Sequence, residues 1–252
     1  MNSYFKIILI TVHVIAFSIL PAKAEDYKLP QYSSRDGFVP VVGRKGMVSV
    51  RETIAAKVGA DILAKGGNAI DAAAAIGFAL AVTYPQAGNI GGGGFMVAHI
   101  ASENKTVAID YREMSAGKAR HDLYVGKDGK VNQKLAKYSR QSTGVPGTVA
   151  GLAFAVEKYG TMNLKQVLTP AYKLARDGFE VYTQLEVSLA RAKERLSADP
   201  AALKVFYKAD GSNYKTGEVL KQKDLANSLR AIMRKGTDAF YKGDIAKKIA
   251  AD

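Results

Sequence analysis

The sequence contains no cysteine. That excludes a disulfide framework, a thiol nucleophile and thiolate metal ligation, and it leaves burial as the source of stability. Histidine is nearly as scarce, with 3 in the whole chain: His13, His99 and His121. His13 falls in an N-terminal leader pattern, and the other two have no metal-ligand spacing. A histidine-based triad and a metal site are therefore not expected, and no cofactor is expected either. His99 lies in an apolar strand pattern and reads as a packed, hydrogen-bonded histidine. Acidic residues are in deficit, 23 against 36 basic, for a formal net charge of +13. Such a balance can mark nucleic-acid or anionic-surface binding. Here the lysines are scattered through helical patterns with no stripe and no interleaved aromatics, so no nucleic-acid partner is expected. Internal repeats and low-complexity tracts are absent. The apolar run at residues 7–20 is short for a membrane span. Lys6 before it and Ala22-Lys23-Ala24 after it make it a signal h-region with a cleavage site. Residues 1–24 read as a signal peptide, which predicts a periplasmic or secreted chain with no stable membrane anchor.

What is present is a globular composition. The 252 residues, 48% hydrophobic and 23% charged, suit one sizeable domain or part of a larger one. Residues 25–44 have proline, serine and tyrosine without a period and read as an extended lead-in, and the domain proper covers 45–252. Apolar spacing predicts a helix over 53–65, ended by Gly66 and Gly67. Asn68 with Asp71 three residues on resembles a capping box for a second helix, apolar nearly all round and hence buried. Two strands follow, 95–100 and 106–111, and the first is apolar on both faces, which predicts a covered sheet. Helical patterns then dominate: 148–159, 164–177 with a kink expected near Pro170, 184–196, 225–235, and a start at 245–251. Two buried strands are too few for a covered sheet. Further strands are expected within 204–220 or beyond Asp252, and the second is favoured.

Gly91 to Gly94 invites a phosphate-loop reading, but the order is wrong. A phosphate loop runs strand, glycine turn, helix, and carries Gly-Lys-Ser/Thr. Here a helix precedes the loop and a strand follows it, so close backbone packing with unusual dihedrals is the expected role. Arg112, at a strand end beside this loop, is the sharper candidate. Its guanidinium can grip a carboxylate through two parallel hydrogen bonds. It can equally form a structural ion pair with Asp110 or Glu113.

Seven segments in order decide the family. They are Lys45-Gly46-Met47-Val48; Gly66-Gly67-Asn68-Ala69-Ile70-Asp71-Ala72-Ala73; Pro85-Gln86-Ala87-Gly88-Asn89-Ile90-Gly91-Gly92-Gly93-Gly94-Phe95-Met96; and Ala108-Ile109-Asp110-Tyr111-Arg112-Glu113. Gly144-Val145-Pro146-Gly147-Thr148-Val149-Ala150-Gly151, Leu174-Ala175-Arg176-Asp177-Gly178-Phe179 and Phe240-Tyr241-Lys242-Gly243-Asp244-Ile245-Ala246 complete the set. Together they resemble the large subunit of gamma-glutamyltranspeptidases (glutathione hydrolases). The resemblance implies an α+β fold of the N-terminal-nucleophile hydrolase type, an αββα sandwich, incomplete in this chain, which is helix-rich with few strands. It implies glutathione and other gamma-glutamyl compounds as substrates, and a C-terminal small subunit carrying a nucleophilic threonine whose own amine serves as base. Arg112 matches the family's large-subunit arginine that binds the substrate α-carboxylate. No catalytic residue is carried over to this chain, so the fragment alone is expected to be inactive. Two other functions remain open: a non-enzymatic exported binding remnant, and an acylase or poly-gamma-glutamate hydrolase of the same fold.

Overall fold

Polar caps set the first helices. The computed structural model describes residues 42–252, so the signal peptide at 1–24 and most of the lead-in lie outside the described residues. Helix α1 (Thr53–Ala64) begins at Glu52, whose carboxylate accepts from the Ile54 and Ala55 N–H groups at 2.6 and 2.9 Å. That satisfies two donors that the first helical turn leaves without partners. Gly66, at φ +88°, then turns the chain. Helix α2 (Ala69–Thr83) starts from the predicted capping box: Asn68 accepts from Ile70 and Asp71, and Asp71 returns a bond to the Asn68 N–H at 2.9 Å.

Strands β1 (Phe95–Ile100) and β2 (Lys105–Asp110) pair antiparallel, with Phe95 opposite Asp110 and Ile100 opposite Lys105. After a short helix α3 (Gln133–Tyr138) come α4 (Thr148–Tyr159) and α5 (Leu164–Asp177), the latter continuous through Pro170. Strand β3 (Phe179–Glu180) leads into α6 (Thr183–Leu196) and α7 (Pro200–Phe206). Strand β4 (Val219–Leu220) pairs with β3, and α8 (Lys223–Lys235), α9 (Asp238–Tyr241) and α10 (Asp244–Ala251) complete the described chain.

The core is built round α2, against which α1, α4 and α5 pack, and α8 closes on α5. Ala74, Ala75, Phe78, Ala79 and Val82 of α2 are wholly buried. Small residues permit this close fit. A Cβ at Gly77 would come 2.9 Å from Leu152 of α4. Helices α5 and α8 each bury one stripe, Val167, Leu168, Ala171 and Ala175 on the first and Ala226, Leu229 and Ile232 on the second. Each large side chain in this cluster contributes about 1.5–3 kcal/mol through burial.

The fold is α+β and helix-rich, as expected, and the sandwich is incomplete among the described residues: each sheet has two strands. Three expectations need correction. Among the described residues the β1–β2 hairpin is covered on one face only. Val107 is buried and Met96 packs on the core, whereas Phe95 and Val97 are 65% and 75% exposed. Positions 95–98 are all apolar, so composition cannot reveal that only alternate side chains meet a partner layer. His99 stands on that open face, bonded to Thr106 Oγ1 at 3.2 Å; it is hydrogen-bonded but not packed. Finally, 204–220 does hold a strand, β4, but it pairs with β3 and adds nothing to the β1–β2 sheet.

Candidate functional site

The site begins where β2 ends. The hairpin ladder continues one step past the strands, with the Tyr111 N–H donating to Gly94 O at 3.0 Å and the Gly94 N–H to Tyr111 O at 3.3 Å. Three residues on, Met114 pairs with Val145, whose N–H donates to Met114 O at 2.7 Å. Arg112 and Glu113 therefore lie on a short segment pinned at both ends.

Tyr111 anchors the first pin. Its ring lies on the N-terminal turns of α4, where any Cβ at Gly151 would collide with it, and a Cβ at Gly147 would collide with its carbonyl. Burial pushes the Tyr111 phenol above its ordinary value. The same turn is held from outside by Tyr241, whose hydroxyl donates to Pro146 O at 2.9 Å and accepts from the Ala150 N–H at 3.1 Å.

The glycine loop packs closely, as its composition predicts, but by another route than dihedral freedom. Positive φ occurs at Gly66, Gly129, Gly178, Gly211, Gly217 and Gly236, and at none of Gly91 to Gly94. The loop needs glycine because the backbone comes too near: a Cβ at Gly93 would meet the Glu113 N at 2.8 Å as well as Tyr111 O. Gly92 O accepts from the Gly147 and Thr148 N–H groups at 2.7 and 2.9 Å. The start of α4 is thus capped by a backbone carbonyl, and an anion has no claim on those donors.

Arg112 is exposed beside a cavity of about 630 Å³ that Gly91, Glu113, Lys118, Tyr124, Gln141 and Thr143 also line. The two readings of this residue now separate. The Asp110 carboxylate accepts from the backbone N–H of Arg112 at 3.0 Å and leaves the guanidinium alone. Among the described residues, the Arg112 guanidinium has no carboxylate within 4.0 Å, although Arg120, Arg140 and Arg176 each have one. Five N–H donors therefore face solvent and cavity, which is the chemistry for holding a carboxylate in a fixed orientation.

His99 and His121 do not line this cavity. Among the described residues no group of three or more metal-ligating side chains occurs. The supporting roles of Asp110, Tyr111, Gly147, Gly151 and Tyr241 escape sequence reasoning. They lie within matching segments, but nothing in spacing says that a tyrosine from 241 steadies a turn at 146–150.

Known proteins resemble this chain in sequence and fold. The gamma-glutamyltranspeptidase family pattern matches residues 55–252. The glutathione hydrolase proenzyme of Escherichia coli (strain K12) is 46% identical over 217 residues, which is 86% of this chain. The chain spans only 37% of that relative's length. The crystal structure of Helicobacter pylori gamma-glutamyltranspeptidase superposes with a TM-score of 0.82 at 42% identity, covering 84% of this chain and 61% of the other. A cephalosporin acylase from Bacillus halodurans superposes with a TM-score of 0.67 at 30% identity, covering 79% of this chain and 37% of the other. The fold class is accordingly that of the N-terminal-nucleophile hydrolases, present here in part. With the family pattern running through nearly all of the described helices and both strands of the hairpin, the chain belongs to the gamma-glutamyltranspeptidase family.

Proposed function

We propose that this chain is the N-terminal portion of an exported gamma-glutamyltransferase or glutathione hydrolase. In this reading it supplies the carboxylate grip, and a C-terminal small subunit supplies a threonine nucleophile and the oxyanion hole. The substrates are glutathione and other gamma-glutamyl compounds. Arg112 holds the substrate α-carboxylate, so that the γ-amide carbon is presented to the threonine hydroxyl. The threonine oxygen bonds to that carbon and the amine leaves with the hydroxyl proton; water then releases glutamate, or an acceptor amine takes the gamma-glutamyl group as a new amide, and the threonine oxygen regains a proton. Orientation of this kind lowers the barrier by making attack effectively unimolecular. The single observation that carries the proposal is the Arg112 guanidinium, unpaired among the described residues, on a segment pinned at Tyr111 and Met114.

The test is Arg112→Lys in the assembled two-subunit enzyme. Lysine keeps the charge and loses the fork, so KM for a gamma-glutamyl anilide should rise about tenfold or more, with a smaller change in kcat. An unchanged KM would return Arg112 to a surface role. The likeness to a cephalosporin acylase favours a second reading, an acylase for other amides. It predicts turnover of amides that lack an α-carboxylate, and on those Arg112→Lys would have no effect.

A further inference from the structure

A second concave surface is more strongly basic than the one at Arg112. It lies where the end of α2 meets α6, in a cavity of about 830 Å³. Arg51, Arg191 and Arg195 line it, and among the described residues no aspartate or glutamate does. Among the described residues none of these three arginines has a carboxylate within 4.0 Å, in contrast to the paired Arg140 and Arg176. No lining residue is shared with the Arg112 cavity.

The nearby acids are already engaged or turned elsewhere. Glu52 is buried, and its oxygens take the Ile54 and Ala55 N–H groups and the Thr83 hydroxyl, the last at 2.7 Å. Glu186 of α6 accepts from the Thr216 N–H and hydroxyl and pairs with Lys215. Glu194 lines an adjoining hollow that Arg191 and Arg195 also line and forms no ion pair with either; of the other acids there, Asp199 caps α7 and Asp252 pairs with Arg140.

Helix electrostatics favours one of the three charges, Arg195 in the last turn of α6, and not the other two. Arg191 and Arg195 stand one turn apart on one face of α6, an arrangement in which like charges repel. Arg51 precedes the N-cap of α1, the end where a cation is disfavoured. The floor is firm. Tyr182 donates its hydroxyl to Thr83 O at 3.2 Å, and the Arg51 guanidinium lies 5.7 Å from the centre of the Tyr84 ring. Ser188 and Gln184, on the same face of α6, add neutral donors.

We propose that this cavity binds a compact polyanion, a small molecule with two or more carboxylate or phosphate groups, separately from the site at Arg112. The guanidinium fork matches both kinds of group, and the volume is that of small-molecule sites. Bound charge would relieve the repulsion between Arg191 and Arg195.

Calorimetric titration of the full chain with pyrophosphate and, in a separate arm, with citrate tests this. The expected result is saturable one-site binding of at least one of them at low ionic strength, weakened by added sodium chloride. Which anion binds more tightly distinguishes a phosphate ligand from a polycarboxylate. The double variant Arg191→Gln/Arg195→Gln should weaken binding by about tenfold or more. Arg230→Gln/Arg234→Gln removes the same charge from α8 and should leave it unchanged. If circular dichroism shows the α6 double variant misfolded, Arg51→Gln gives the same reading from outside that helix. No saturable binding of either anion, or equal weakening by the two double variants, overturns the proposal. Loss of binding in Arg112→Lys would also overturn it, because the anion would then occupy the substrate cavity.

Discussion

At the scale of single residues, the site depends on a carboxylate that never meets the guanidinium it might have neutralised. Asp110 and Arg112 share a strand face at i, i+2, and that spacing alone is compatible with an ion pair. The structure uses Asp110 to hold the Arg112 N–H, which fixes the backbone from which the guanidinium extends. In the proposed function Asp110 is thus a positioning residue. Replacing it with alanine in the assembled enzyme should raise KM about three- to tenfold with little change in kcat, since one charge-assisted bond at an exposed position is lost. Asp110→Asn should restore most of the affinity, because its amide oxygen still accepts from the Arg112 N–H. Equal KM values for wild type and Asp110→Ala would show that the pins at Tyr111 and Met114 suffice. Arg112 is legible as a candidate: spacing alone leaves it open between a carboxylate grip and an ion pair with Asp110 or Glu113, and the family resemblance of its segment singles it out. Asp110 is not, because its partner is a backbone group that no side-chain pattern announces.

At the scale of elements, caps made the long helices readable. Asn68 starts α2 and Asn163 starts α5, each through a reciprocal capping box, while Gly178 and Gly236 end α5 and α8 at φ +96° and +66°. Helices α3, α7 and α9 have 6, 7 and 4 residues, too few to establish a period, and the two-residue β4 is set by its pairing with β3 instead of by its own composition. Asp71 shows how much one cap can do beyond its helix. It is wholly buried, and besides Asn68 it accepts from the Thr161 N–H and hydroxyl at 3.0 and 2.7 Å and from the Met162 N–H at 3.2 Å. It therefore ties the start of α2 to the α4–α5 connection. Burial alone would raise its pKa, but the bonds from Thr161, Asn68 and Met162 outweigh that and hold it below the ordinary carboxylate value. Asp71→Ala strands several buried donors and should cost about 3 kcal/mol in urea unfolding at neutral pH. A depressed folded pKa gives stability that is present above the unfolded value, about 3.9, and is lost as pH falls through the folded value. The gap between wild type and Asp71→Asn should therefore narrow in acid. Glu186, held down to about 2 by its bonds from Thr216 and Lys215, titrates in both proteins and drops out of that difference. A gap independent of pH would mean that folding leaves the Asp71 carboxyl unshifted.

At the scale of the whole molecule, the helical core and the hairpin are completed to different degrees. The helices around α2 bury their apolar stripes against one another, and their packing is what amphipathic period predicts. The hairpin has a partner layer on one face, and an isolated two-stranded sheet is marginal in water. Its other face presents Phe95 and Val97, with Ala108 opposite Val97 in the register, and an exposed apolar patch of this kind marks a surface made to be covered. If the proposed small subunit lies there, covering the sheet and supplying the nucleophile are one event, and two measurements should move together. The 252-residue chain alone should bind a hydrophobic dye such as anilinonaphthalene sulfonate and should not hydrolyse a gamma-glutamyl anilide. Phe95→Ser/Val97→Ser should lower dye binding without changing the helical circular dichroism, which locates the dye on the hairpin. Co-expression with a C-terminal polypeptide from a full-length relative should suppress dye binding and give turnover in the same preparations. Turnover by the chain alone would refute the division of labour between the two parts. Dye binding that persists in an active assembly would separate the open face from catalysis and leave it to some other contact.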